Sequence, residues 1–214
     1  MTLRKTLAAI LCSIFVGLSI GGSDVLAQTA PSSPPQETRS DEPNLDTQLY
    51  LLVATNQEVD DSKLPAALDP VVKQLRGSLP FKNYRLMTTL VNRVKNEGRL
   101  NLKWIGGPMI ASGAASTGTP SFNEFKVFSV KLVTDDEGRQ VVRMDGFAFG
   151  ARIPIQTGMV AASGAAGPII NYEQTGLNTD ISMREGEPVV VGTLNVGPSG
   201  DAIILVMSAK RANR

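Results

Sequence analysis

Glu173, Asp180, Glu185 and Glu187 are the carboxylates whose number and spacing could supply a general acid/base pair or a glycoside-cleaving pair. Either reaction needs two carboxyl groups held at a fixed separation across a substrate cleft. Asp180 and Glu185 fall near expected turns, and only eleven aromatic residues (seven Phe, three Tyr, one Trp) exist to line a sugar site, so a structural role is the better reading. Ser208 and Lys210 could act as hydroxyl nucleophile and amine base, but their spacing differs from Ser-x-x-Lys and fits a strand end. The trio Asp135-Asp136-Glu137 could hold a cation. Three consecutive carboxylates before Gly138 fit a hairpin tip better, because neighbours on a turn seldom converge on one ion.

Other chemistries lack their residues. The chain has no histidine, which removes the imidazole base of hydrolase triads and the usual zinc or copper ligand. Its single cysteine, Cys12, lies in an N-terminal apolar run. No phosphate loop, dinucleotide fingerprint or Gly-x-Ser-x-Gly elbow is present, and Gly106-Gly107 lacks the context of any of them. The expectation is a non-catalytic protein with no cofactor and no metal site.

The N-terminus sets the compartment. Arg4 and Lys5 precede an almost wholly apolar run from Thr6 to Gly22, and Val25-Leu26-Ala27 places small residues where a signal peptidase cuts. Residues 1–27 are therefore expected to be an export signal, and the protein to work in the periplasm or outside the cell. Bulky Leu11 before Cys12 disfavours lipid attachment. Cleavage would remove the only cysteine, and with it any disulfide. Losing Arg4, Lys5 and Asp24 from 21 basic and 20 acidic residues leaves 19 of each, so net charge gives no argument for nucleic acid, which is not an expected partner.

Residues 28–46, rich in Pro, Ser and acids, cannot bury enough surface to offset their ordering entropy and are expected to form a tether or a plain N-terminal tail. One folded domain, 47–214, should follow. Its fold class is α+β, mostly antiparallel β with one short helix near the N-terminal strands. Thr47–Ala54 reads as a strand. Asp69-Pro70 reads as a helix start with Asp69 capping, Gly77 as a stop, and Pro65 as an earlier opening that would leave a kink at Pro70. Tyr84–Val94 and Leu100–Trp104 read as two strands of a first hairpin turning at Asn96-Glu97-Gly98. Phe122–Val133 and Gln140–Ile153 read as a second, turning at Asp135–Gly138. Pro188–Leu194 and Ala202–Ala209 are joined by a Gly/Pro loop, and the last run, apolar on both parities, is either a covered central strand or an edge that meets another subunit.

Charge is unevenly spread. Lys73, Arg76, Lys82, Arg85, Arg93, Lys95, Arg99 and Lys103 are opposed only by Glu97, while Glu37, Asp41, Glu42, Asp46, Glu58, Asp60, Asp61 and Asp69 are opposed only by Arg39 and Lys63. Lys82, Arg85, Arg93, Lys95, Arg99 and Lys103 are the interaction candidates. They could pair with acidic segments of a neighbouring copy, help hold one domain together by pairing with its own acidic segment, bind anionic lipid or cell-wall polymer, or form a solvated face. Two small, uncharged segments, Met109–Ala115 and Met159–Ala166, echo one another and are expected as loops that touch a membrane, line a subunit interface or fold together.

Tyr172–Ile181, with Thr175-Gly176 inside it, then Gly186-Glu187-Pro188-Val189-Val190-Val191-Gly192 and the apolar strand Ile203–Met207, resemble the β-domain of bacterial secretins. There a Gly-x-x-Val-Val-x-Gly-like segment leads into a late strand, and a Thr-Gly turn can precede it. The resemblance covers about 40 residues. It implies a strand-rich envelope module that assembles with copies of itself or with other envelope proteins, without catalysis. The alternative is a binding protein for a small apolar or anionic ligand, using the loops near Met109 and Met159 with the basic strands.

Overall fold

The computed structural model describes residues 43–58, 64–107, 119–162, 165–196 and 200–213. The expected export segment, the tether through residue 42 and the Met109–Ala115 segment lie outside the described residues.

Among the described residues, eight strands and one α-helix make an α+β fold: β1 (Asn44–Thr55), α1 (Asp69–Ser78), β2 (Asn83–Lys95), β3 (Gly98–Gly106), β4 (Ser121–Thr134), β5 (Gln140–Ala162), β6 (Ala165–Arg184), β7 (Val189–Val196) and β8 (Asp201–Arg211). They form two antiparallel sheets, in orders β2-β1-β8-β7 and β3-β4-β5-β6. The first strand begins three residues before the expected boundary. Leu45 is fully buried and Asp46 pairs with Arg93, so Asn44–Asp46 belong to the sheet and not to the tether.

Period-two patterning puts Leu45, Leu49 and Leu51 of β1 and Ile203, Leu205 and Met207 of β8 on one face of the first sheet. They pack against Phe125, Val127, Phe147, Phe149 and Met144 of the second sheet in one core. The opposite parity of the same strands, Tyr50, Leu52, Ala54, Ile204 and Val206, is covered by Val71, Val72 and Leu75 of α1. This explains why β8 is apolar on both parities: it is a central strand between β1 and β7, covered on two faces, and it offers no subunit edge. Leu177 of β6 lies over Gly192 of β7, where a Cβ would stand 2.7 Å from Leu177 Cδ2, and the sheets approach closely there.

Three local expectations change. Asp69 is the first residue of α1, not its cap; Leu68 holds the cap position without a side-chain bond, a 3-10 turn at Ala66–Leu68 leads in, and the helix runs through Gly77. The Asn96-Glu97 turn closes no hairpin: β2 pairs with β1 and β3 with β4, so the chain crosses between sheets there with Glu97 at φ 61°. Thr175-Gly176 is not a turn either, since β6 is continuous and these two residues pair with Ala151 and Gly150.

The β4–β5 hairpin forms as expected. Asp135 Oδ1 accepts from the backbone N–H groups of Glu137 and Arg139, and its other oxygen accepts from Arg139 Nε at 2.8 Å, so the turn itself uses this carboxylate. At β5, the Gly146 N–H donates to Asp180 Oδ1 at 2.6 Å, fixing a bulge in which Gly146 has φ 63°. Asp180 thus holds backbone geometry.

Among the described residues four carboxylates sit below their ordinary range: Asp46 through Arg93, Glu124 through Lys126, Asp135 chiefly through the Arg139 amide, and Glu185 chiefly through the Arg211 guanidinium. A carboxylate whose folded pKa is lowered stabilises the fold above the unfolded value, and that contribution disappears as pH falls through the folded one. With no histidine to titrate, the urea midpoint is expected to stay level from about pH 6 to 8 and to fall below about pH 4.5. Glu185→Gln should make the acid limb shallower. A midpoint that moves between pH 6 and 8 would contradict this account.

Candidate functional site

The outer face of the second sheet is the most site-like surface among the described residues. Register sets it out in rows: Ile105, Phe122, Arg152 and Gln174 are successive cross-strand partners, and beside them Lys103, Glu124, Gly150 and Gly176. A third row runs Asn101, Lys126, Ala148, Asn178. Gly150, Gly176 and Ala148 have no side chain beyond Cβ, so the middle of the sheet is a trough floored by backbone. Its upper part is a cleft of about 340 Å³ lined by Lys103, Ile105, Phe122, Glu124, Arg152 and Gln174, and it continues over Ala148, Gly150 and Gly176.

The charges of the trough differ in their engagement. Glu124 Oε1 lies 2.7 Å from Lys126 Nζ and 3.3 Å from Lys103 Nζ, which keeps its carboxyl ionised. Arg152 makes no ion pair among the described residues; its guanidinium lies 5.7 Å from the centre of the Tyr172 ring. Phe122 meets Tyr172 at 5.6 Å, and the Tyr172 hydroxyl donates to Pro120 O at 3.1 Å. Ile105 and Phe122 are 69% and 42% exposed, an unusual pair on one sheet face.

Past Arg152, β5 loses β4 as a neighbour, since Phe122↔Arg152 is the last pair between them. From Ile153↔Glu173 to Ala162↔Ala165 the two strands, among the described residues, pair only with each other. The hairpin thus continues past β4 as a two-stranded arm, Ile153 and Ile155 at its base still packed on the core, and it runs about 30 Å from Arg152 to its last paired residues at the rise of a β-strand. Residues 153–172 contain no Asp, Glu, Lys or Arg, and Met159 and Ile169 are exposed. The segment expected as a loop near Met159 is the end of this arm, with strand pairing reaching Ala162 and Ala165.

The six basic candidates do not converge. Arg93 and Lys95 lie on the α1 side of the first sheet, away from the helix, where Arg93 is bound to Asp46 at 2.7 and 3.0 Å. Arg85 is opposite Val53 on the other parity, and Lys82 precedes β2, its backbone N–H donating to Asn56 Oδ1. Only Arg99 and Lys103 reach the outer face of the second sheet, Arg99 stacked 4.7 Å from the Phe128 ring. The cause is the crossover at Asn96-Glu97, which sends the two strands to different sheets. Lys126 and Arg152 share that face with Lys103 although no charge cluster in the sequence marks them; the β4–β5 register, counted from the Asp135–Gly138 turn, is the signal that places them there. Glu185 is held by Arg211, and Glu173, Asp180, Glu185 and Glu187 form no group of acids facing one cleft.

No family model and no curated protein matches the chain. Among solved structures, the Salmonella SPI-1 type III secretion injectisome secretin InvG matches 81% of this chain and 66% of its own, at 9% identity and a TM-score of 0.34. The V. cholerae type IV competence pilus secretin PilQ matches 81% of this chain and 58% of its own, at 10% identity and a TM-score of 0.31. The chain thus spans less than two thirds of the length of these proteins. Its fold weakly resembles secretin domains.

Proposed function

We propose that this chain is an exported, non-catalytic assembly module of the bacterial envelope, whose β5–β6 arm packs against neighbouring copies within or beside a membrane. The arm carries this reading: an uncharged two-stranded projection with exposed Met159 and Ile169 and, among the described residues, one unpaired backbone edge on each strand. Strands of about ten residues match the hydrocarbon thickness of a bilayer. A lone hairpin cannot stay there, because its edge N–H and C=O groups would find no partner in lipid. Pairing with arms of further copies satisfies them. With β8 buried inside its own sheet, assembly rests on the arm and not on the last strand.

Light scattering of the purified chain in mild detergent tests this. Discrete masses of several copies are expected, reduced to the single-chain mass by Met159→Asp with an unchanged circular dichroism spectrum. A single-chain mass at every concentration would remove assembly from the proposal.

A further inference from the structure

Charge stops at the foot of the arm. Arg152 and Glu173 are the last charged residues before the uncharged run, and around Arg152 stand Lys103, Tyr172, Phe122 and Ile105. The cleft of about 340 Å³ between them has an apolar wall, Ile105 and Phe122, and a cationic rim, Arg152 and Lys103. Lys103 is shared with Glu124, whereas Arg152 has no carboxylate partner among the described residues.

A guanidinium without a carboxylate, set over an apolar wall, is complementary to an anion that carries a hydrocarbon chain. Its planar fork takes two phosphate oxygens at once, and Ile105 and Phe122 offer surface to the chain. The level is also right. Tyr, Lys and Arg gather where membrane proteins cross from headgroups to water, and Tyr172, Lys103 and Arg152 stand about 30 Å from the last paired residues of the arm.

We infer that the Arg152 cleft at the foot of the arm is a headgroup site for an anionic phospholipid, the phosphate on Arg152 and the first acyl carbons along Ile105 and Phe122. This rests on the arm being the bilayer-facing element. A free phosphate would satisfy Arg152 but leave the apolar wall bare.

Trp104, the single tryptophan, stands between Lys103 and Ile105 on β3 with its ring turned to the inter-sheet core beside Phe149, so its emission follows changes in the strand that walls the cleft. The purified chain is floated with vesicles of phosphatidylcholine, alone or mixed with phosphatidylglycerol, while Trp104 emission is recorded. Partition into the anionic vesicles is expected to be about tenfold stronger, as one or two basic residues at an anionic surface provide, with a blue shift of Trp104. Arg152→Gln should reduce it to the phosphatidylcholine level without changing the circular dichroism spectrum, and Met159→Asp should weaken partition into both. Equal partition of the wild type, or an undiminished preference in Arg152→Gln, would overturn the headgroup site while leaving the arm reading intact. Failure to float with either vesicle would overturn both. If inorganic phosphate alone shifts Trp104 and releases the vesicles, the cleft takes soluble phosphate and the lipid assignment is wrong.

Discussion

Gly176→Val is expected to destabilise the protein by about 3 kcal/mol, lowering the urea midpoint by roughly 1.5 M. A Cβ at this position would stand 2.4 Å from the carbonyl oxygen of Phe149 and 3.2 Å from Gly150 Cα. Both are backbone atoms of β5, so no side chain can rotate away; β5 and β6 must separate or the ladder must shift. The consequence reaches beyond one contact, because β6 also carries Leu177 onto Gly192 of the other sheet. Its cross-strand partner provides the control. Nothing lies within 4 Å of a Cβ built on Gly150, so Gly150→Ala should change stability by less than about 0.5 kcal/mol. Equal urea midpoints for the two variants would show that close strand approach is not what requires Gly176.

Phe125→Ala should cost about 4 kcal/mol, a large share of the stability of a domain this size. Phe125 is fully buried between the sheets, its ring 5.2 Å from that of Phe147 at 56°, and truncation leaves a cavity that two rigid sheets cannot collapse around. Phe128, on the same strand but the opposite parity, is 63% exposed, and Phe128→Ala should cost less than about 1 kcal/mol. Urea unfolding of the two variants side by side measures the parity of β4 directly. A cost for Phe128→Ala equal to that for Phe125→Ala would mean that the outer face of the second sheet is covered in solution, as an assembly would cover it.

The two phenylalanines also show what could be read in advance. Alternation along Phe122–Val133 and the Asp135–Gly138 turn identified the β4–β5 hairpin, and Pro70 placed the helix. These are local signals, settled by a few neighbouring residues and their backbone preferences. The candidate site was legible only in part: Lys103 was named for its charge, but Arg152, Phe122 and the glycine floor meet it through cross-strand register, a relation between residues dozens of positions apart.

By itself, the sequence determined the strand-rich character, the single helix, the lack of histidine chemistry and the uncharged run at residues 153–172, because composition and period-two patterning act over short stretches. Tertiary structure alone decided that Asn96-Glu97 crosses between sheets, that Thr175-Gly176 continues a strand, that β8 is central and that the basic residues divide between two surfaces. The physical reason is the same in each case. A turn sequence specifies only that the chain bends, whereas which strand receives its hydrogen bonds is chosen by the burial of the whole core.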